Sequence, residues 1–300
     1  MKTTLLYLAA LLLLTHLRAA ETRDLILVAG QSNAVGYDAY ASELPPDASD
    51  KETMFWWRVG DPPPDEFDVT SGEKWTTLQP QPRGTPLEVK SLPADDPRAK
   101  LGRQYGNFKK PEGGFGPEIG LARELRAKGG KPLAIVKVAF SGTGITTDWN
   151  PDDPGAAGAC YRALIDETKA ALAAAAAQGI TLRLRALVWV QGENDANAGA
   201  AREYEKNLAH LLTRLRADLA APEMSALLGV NTRFGDGKNP NMPAIVAAQK
   251  AAAEKDHRGV YVDTEGAETL PPNTHFTAAG TLEVGRRFAA ALLKLEAAGK

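Results

Sequence analysis

Ser32 and His275 are the two residues of this chain whose types and setting best suit nucleophilic chemistry. Ser32 lies in LILVAGQSNAVGY (25–37), where an apolar, β-branched run gives way at once to Gly30-Gln31-Ser32-Asn33. A serine hydroxyl is a weak nucleophile until a neighbouring base, usually histidine, takes its proton. The chain has four histidines, so the base can be sought by elimination. His16 belongs to an apolar N-terminal leader. His210 sits mid-helix in KNLAHLLTRLR, and His257, in EKDHRGV, precedes the last predicted strand and so falls at the wrong edge of a sheet. His275, in PPNTHFTAAG, follows that strand and shares an edge with Ser32.

The elements that would position this pair are legible from periodicity. Strands are expected at 25–29, 133–140 (LAIVKVAF), 182–190 (LRLRALVWV), 226–230 and 260–263. Helices are expected at 117–128, 156–178, 199–219, 243–255 and 277–297. This alternation predicts an α/β fold: a five-stranded parallel sheet with helices on both faces. Ligands of such sheets bind beyond the carboxyl ends of the strands. The residues following those ends are Gly30 to Asn33, Ser141-Gly142-Thr143-Gly144, Gln191-Gly192-Glu193-Asn194-Asp195, Asn231-Thr232-Arg233, and Asp263, Glu265 and His275. Acyl transfer also needs donors for an oxyanion. The backbone N–H groups of Ser32 and Gly142, with the side-chain amide of Gln191 or Asn194, can reach one point. Gln31, Asn33, Thr143 and Asn194 are the candidate substrate-binding residues on the same edge.

Residues 38 to about 114 break the pattern. They hold eleven of the twenty prolines and show no long helical period. Phe55, Trp56, Trp57 and Trp75 argue against a disordered linker, so a packed, irregular excursion is expected, with MFWWRVG and KWTTLQP forming short strands or turns around a rim. No internal repeat is visible, and residues 21–300 read as a single domain.

Bulk composition narrows the partners. The formal net charge is −2, with 35 basic against 37 acidic side chains, so no summed field draws the chain to nucleic acid or an anionic membrane. No paired-ligand spacing such as HxxxH occurs, and neither a metal nor a cofactor is expected. Cys160 is the single cysteine, which excludes an internal disulfide, and its place at the start of an Ala-rich helix marks it as a packing residue. Residues 1–20 read as a secretory signal, with Lys2, an apolar run over 5–14, and Ala19-Ala20. The run is too short to span a bilayer. Export to the periplasm or the medium follows, with no stable membrane association after cleavage.

Four segments, GQSNAVG (30–36), FSGTGITTDW (140–149), VWVQGENDA (188–196) and NTHFTAAG (273–280), supported by GFGPEIGLARELR (114–126), make the chain similar to one known group. It resembles the sialate O-acetylesterase-like branch of the SGNH hydrolase superfamily, also called carbohydrate esterase family six. The resemblance implies a three-layer, flavodoxin-like α/β/α fold and a serine esterase that removes acetyl groups from carbohydrate hydroxyls without metal or cofactor. By position it implies Ser32 as nucleophile, His275 as general base, and Ser32 N–H, Gly142 N–H and the Gln191 side chain as oxyanion hole. One departure matters. The family commonly carries an Asp three residues before the histidine, and here that residue is Pro272. Glu193 is the first candidate for the missing acid and Asp263 the second. A non-catalytic carbohydrate binder and an esterase for non-sugar esters are the alternatives. A sugar site would present aromatic rings for stacking, with Trp56, Trp57, Trp75 and Trp149 as the candidates.

Overall fold

A computed structural model describes residues 21–60, 62–63, 69–84 and 107–299. The expected signal segment, 1–20, and part of the excursion lie outside the described residues.

The first strand, β1 (Glu21–Gly30), is exposed at its start and wholly buried from Asp24 onward. Its apolar residues alternate between two cores. Leu25, Leu27 and Ala29 enter one, Ile26 and Val28 the other. A strand covered on both faces needs no polar alternation, which is why LILVA reads as a continuous apolar run. Two further predicted strands, β5 (Leu133–Phe140) and β7 (Ser225–Gly229), follow the same logic, whereas β6 (Ile180–Val190) is fully buried only from Ala186 onward and β8 (Gly259–Tyr261) is a half-buried edge strand.

The sheet exceeds the expected five strands. Inside the excursion, β2 (Met54–Gly60) pairs parallel with β5, and two short strands, β3 (Val69–Thr70) and β4 (Thr76–Thr77), pair antiparallel with β2. The order is β3-β2-β5-β1-β6-β7-β8, with β4 on β2, so among the described residues six strands run parallel. MFWWRVG forms a strand as expected, but it extends the central sheet instead of shaping a rim, and both of its faces carry aromatics. Phe55, Trp57 and Val59 join one core while Trp56 joins the other.

Helices cover both faces. On one lie α3 (Ala159–Ala177), α4 (Ala200–Asp218) and α5 (Met242–Lys255), and on the other α1 (Ser32–Val35), α2 (Glu118–Ala127) and α6 (Ala278–Ala297). Three layers result, as the periodicity predicts. Thr277, two residues after His275, caps α6 by accepting from Gly280 N–H at 3.1 Å. Among the described residues no helix is long and apolar enough to cross a membrane.

The tryptophans belong to the interior. Trp56 and Trp149 are completely buried, and the indole N–H of Trp75 donates to Ala171 O at 3.0 Å. Trp57 is buried too. Trp56, Trp57 and Trp149 offer no stacking surface, and the partly buried Trp75 packs edge-on against Trp56 at 5.7 Å.

Candidate active site

β1 ends at Gly30, where φ is +140° and a Cβ would lie 2.0 Å from Val190 O. Only glycine lets β1 turn this close to β6. Gln31 N–H then bonds Val190 O at 3.0 Å, and the single-turn helix α1 begins with Ser32 at its head. Beneath α1 the buried Lys137 ammonium donates to Val35 O (2.8 Å), Gln81 Oε1 (2.7 Å) and Glu118 Oε1 (2.9 Å). That charge-assisted junction ties the Ser32 turn to β5, α2 and the excursion.

His275 Nε2 lies 2.9 Å from Ser32 Oγ, and its Nδ1 lies 2.9 Å from Asp38 Oδ2. An ionised carboxylate only accepts, so Nδ1 carries the proton and Nε2 presents its lone pair to the hydroxyl. Burial works to raise the Asp38 pKa, yet the hydrogen bond and charge of His275, then Lys109 and Tyr40, hold it below the usual carboxylate range. Tyr40 donates to Asp38 Oδ1 at 3.1 Å and Lys109 Nζ stands 3.6 Å from it. Burial and the Asp38 charge push the Tyr40 phenol up to about 12. The Tyr37 ring sits 4.8 Å from the imidazole.

The carboxylate on the histidine therefore comes from Asp38, and neither expected acid takes that place. Glu193 is buried and accepts from Asn33 Nδ2 (2.8 Å) and Asn231 N–H (3.1 Å). Its pKa is raised, first by burial, against the hydrogen bonds that favour the charged form. Asp263 is exposed and caps its own turn by accepting from Glu265 N–H at 2.9 Å. Sequence position hid Asp38, because it lies only six residues past Ser32, at the mouth of the excursion rather than after a strand. The structure shows why: α1 is so short, and stops so sharply at Gly36 (φ +88°), that the chain returns to the sheet edge within a few residues.

A cavity of 370 Å³ opens over the pair. Gln31, Ser32, Ser141, Gly142 and Asn194 line it together with Tyr37, Phe234, Thr274 and His275. Gly142 adopts φ +68°, the left-handed conformation that brings its backbone to the cavity. Gln191 is set behind this lining. It is fully buried, and its amide donates to Asp195 Oδ2 (2.6 Å) and Thr143 O (3.0 Å). With both amide hydrogens engaged, it has none for an oxyanion, and Asn194 is the amide that lines the cavity. Asp195 is pushed up to about 6 by burial, opposed by its bonds to Gln191 and Ile145 N–H.

Of the expected substrate contacts, Gln31 and Asn194 line the cavity, whereas Asn33 and Thr143 do not. Thr143 Oγ1 donates to Phe140 O and accepts from the Trp149 indole, both at 2.9 Å. Asn33 has both ends of its amide engaged by protein groups. Gln31 Oε1 accepts from Gly192 N–H and Asn194 N–H at 3.3 Å each, joining the two loops that meet at the cavity. A larger hollow, 580 Å³, lies at the opposite edge of the sheet among Leu182, Leu184 and Pro222, and its lining carries arginine–glutamate pairs and Ser225 but no histidine beside that serine.

A family model described as carbohydrate esterase, sialic acid-specific acetylesterase, matches residues 22–294. No curated protein matches the chain. Among solved structures, a protein from Arabidopsis thaliana superposes with TM-score 0.63 at 18% identity, covering 91% of this chain and 98% of its own. NanS gives 0.60 at 19%, covering 93% and 98%. A carbohydrate acetylesterase from Xanthomonas citri gives 0.57 at 18%, covering 92% of this chain and 57% of that one. At these identities the likeness is one of fold.

Proposed function

The chain belongs to the carbohydrate esterase family described as sialic acid-specific acetylesterases, and from that premise we propose that it is an exported serine O-acetylesterase acting on an acetylated carbohydrate. The observation that carries this reading is the continuous chain Asp38–His275–Ser32, with both links at 2.9 Å, opening into the cavity.

In this mechanism His275 Nε2 takes the Ser32 proton as Oγ attacks the acetyl carbonyl. The developing oxyanion is met by the N–H groups of Ser32 and Gly142 and by the Asn194 amide. His275 then gives its proton to the departing sugar oxygen. Water, deprotonated by the same nitrogen, attacks the acyl carbon, acetate leaves, and Ser32 Oγ regains its hydrogen. Asp38 keeps Nδ1 protonated and stabilises the imidazolium through both halves. No step calls for a metal or cofactor.

Asp38 also weakens the case for a non-catalytic binder, whose support was Pro272. The cavity suits one acetylated sugar residue, with Tyr37 and Phe234 as its aromatic surfaces in place of the buried tryptophans. Export rests on the character of residues 1–20, and residues 21–300 act as one domain in this reading.

The test is acetate release from an aryl acetate and a panel of acetylated sugars, by mature protein and Ser32→Ala side by side. Release by the wild type and a loss of roughly 10⁴-fold or more in the variant is expected. Unchanged release by Ser32→Ala would overturn the mechanism, and a strong preference for long acyl chains would remove the sugar.

A further inference from the structure

His275 has to be delivered to hydrogen-bond distance of Ser32 from a stretch without regular structure. Between β8 and α6, its backbone is held by an isolated bridge of Thr269 with Phe276 and by Leu270 N–H to His275 O at 3.2 Å. Side chains from the ends of β1, β6 and β7 supply the rest. Asn33 Nδ2 donates to Thr274 O at 3.2 Å while its Oδ1 accepts from Phe276 N–H at 3.1 Å, gripping the backbone on both sides of His275. Asn231 Nδ2 donates to Asn273 O (2.8 Å) and Thr274 O (3.1 Å).

Both asparagines meet at one atom. Glu193 Oε1 accepts from Asn33 Nδ2 at 2.8 Å and from Asn231 N–H at 3.1 Å. An asparagine amide can be turned end for end at little steric cost, and its direction is set by its partners. Oε1 of Glu193 demands a donor, so it fixes which end of Asn33 faces inward. The opposite end must then be the acceptor that Phe276 N–H requires. Glu193 Oε2 is buried without a partner, a placement that costs stability rather than adding to it. Its retention is accounted for by what Oε1 holds.

We propose that Glu193 is a positioning residue for the general base, acting through Asn33 and Asn231 to set the His275 loop. This rests on the esterase reading above and assigns Glu193 a task distinct from that of Asp38. What matters is an acceptor at Oε1, not the charge.

The test compares Glu193→Ala, Glu193→Gln, Asn33→Ala and the Glu193→Ala/Asn33→Ala double variant, with Ser32→Ala in the same aryl acetate assay. Glu193→Ala should lower kcat by roughly 10- to 100-fold with KM little changed, and Glu193→Gln should restore it to within about threefold. The double variant should be no slower than the slower single, since both changes cut one route. In NMR spectra, the His275 Nδ1–H proton bonded to Asp38 should broaden in Glu193→Ala and persist in Glu193→Gln. Additive losses in the cycle, or a glutamine variant as impaired as alanine, would overturn the proposal. Should alanine fail to fold, the glutamine variant and the proton signal decide alone. If wild type and Ser32→Ala behave alike, the esterase reading fails instead, and the proton signal still tests Glu193.

Discussion

Two walls flank Ser32, and they are built on different physics. The base wall is a line of charge close to water: the Asp38 and His275 side chains are 9% and 14% exposed, and Lys109 reaches Asp38 from solvent. The proposed oxyanion wall is backed by a buried lattice of amides and hydroxyls. Gln191, Thr143 and Tyr204 are fully buried, with Tyr204 O–H donating to Gln191 Oε1 at 2.7 Å. In the proposed mechanism each construction matches its task. The base must gain and lose a proton twice per turnover, which a counter-charge near water permits. The oxyanion donors must already be aimed when charge develops, which a rigid, dehydrated lattice secures.

The largest expected effect tests the charge line. Asp38→Asn should lower kcat by about 10³- to 10⁴-fold, because an amide at Oδ2 can present a donor to Nδ1 and favour the wrong tautomer. Asp263→Asn, at an exposed turn, should stay within about twofold in the same steady-state assay. A silent Asp38→Asn beside a crippled Asp263→Asn would break the comparison at its base.

The two walls also differ in how far the sequence discloses them. The oxyanion wall follows from placing Gly142 and the QGEND segment after predicted strands, and its open choice between Gln191 and Asn194 was a matter of side-chain packing. Only tertiary structure shows that Tyr204, Asp195 and Thr143 surround Gln191 and leave Asn194 facing the cavity. On the base wall, Ser32 and His275 follow from sheet-edge logic, but Asp38 does not, since no strand delivers it. The chain enters and leaves the site through a four-residue helix that carries no periodicity. The place of β2 in the parallel sheet was hidden for a related reason: Phe55, Trp56, Trp57 and Val59 fill both cores, so neither alternation nor a purely aliphatic run marks MFWWRVG as a sheet strand instead of a strand or turn at the rim. Legibility fails where side-chain identity, rather than period, decides the structure.

A smaller effect sharpens the division within the oxyanion wall. Asn194→Ala, at the cavity, should cost about 10²- to 10³-fold in kcat while KM and the thermal midpoint hold. Gln191→Ala, behind it, should instead lose on the order of 1–3 kcal/mol of stability, because Tyr204 and Asp195 lose a buried partner. Kinetics and thermal unfolding of the two variants separate donor from lattice. The reverse pattern would place Gln191 in the hole.

The smallest effect is a pH signature that runs in opposite senses on the two walls. Asp38 has its pKa lowered by folding, so its stabilisation is present above the ordinary carboxylate range and is lost as pH falls through the folded value. Asp195 is raised from 3.8 to about 6, so the folded protein holds its proton more tightly than the unfolded chain. Between those two values unfolding releases a proton, and stability therefore falls as pH rises, by an amount on the order of 1–3 kcal/mol. Asp195→Asn removes that dependence while adding a constant offset from its altered hydrogen bonds to Gln191 and Ile145. The slope is thus the informative quantity. Urea unfolding at several pH values from 4 to 7 should show the variant gaining on wild type as pH rises to about 6 and holding that gain above it. A difference that stays flat over the whole range would mean that Asp195 titrates as an ordinary carboxylate, and that the oxyanion wall is as accessible to water as the base wall.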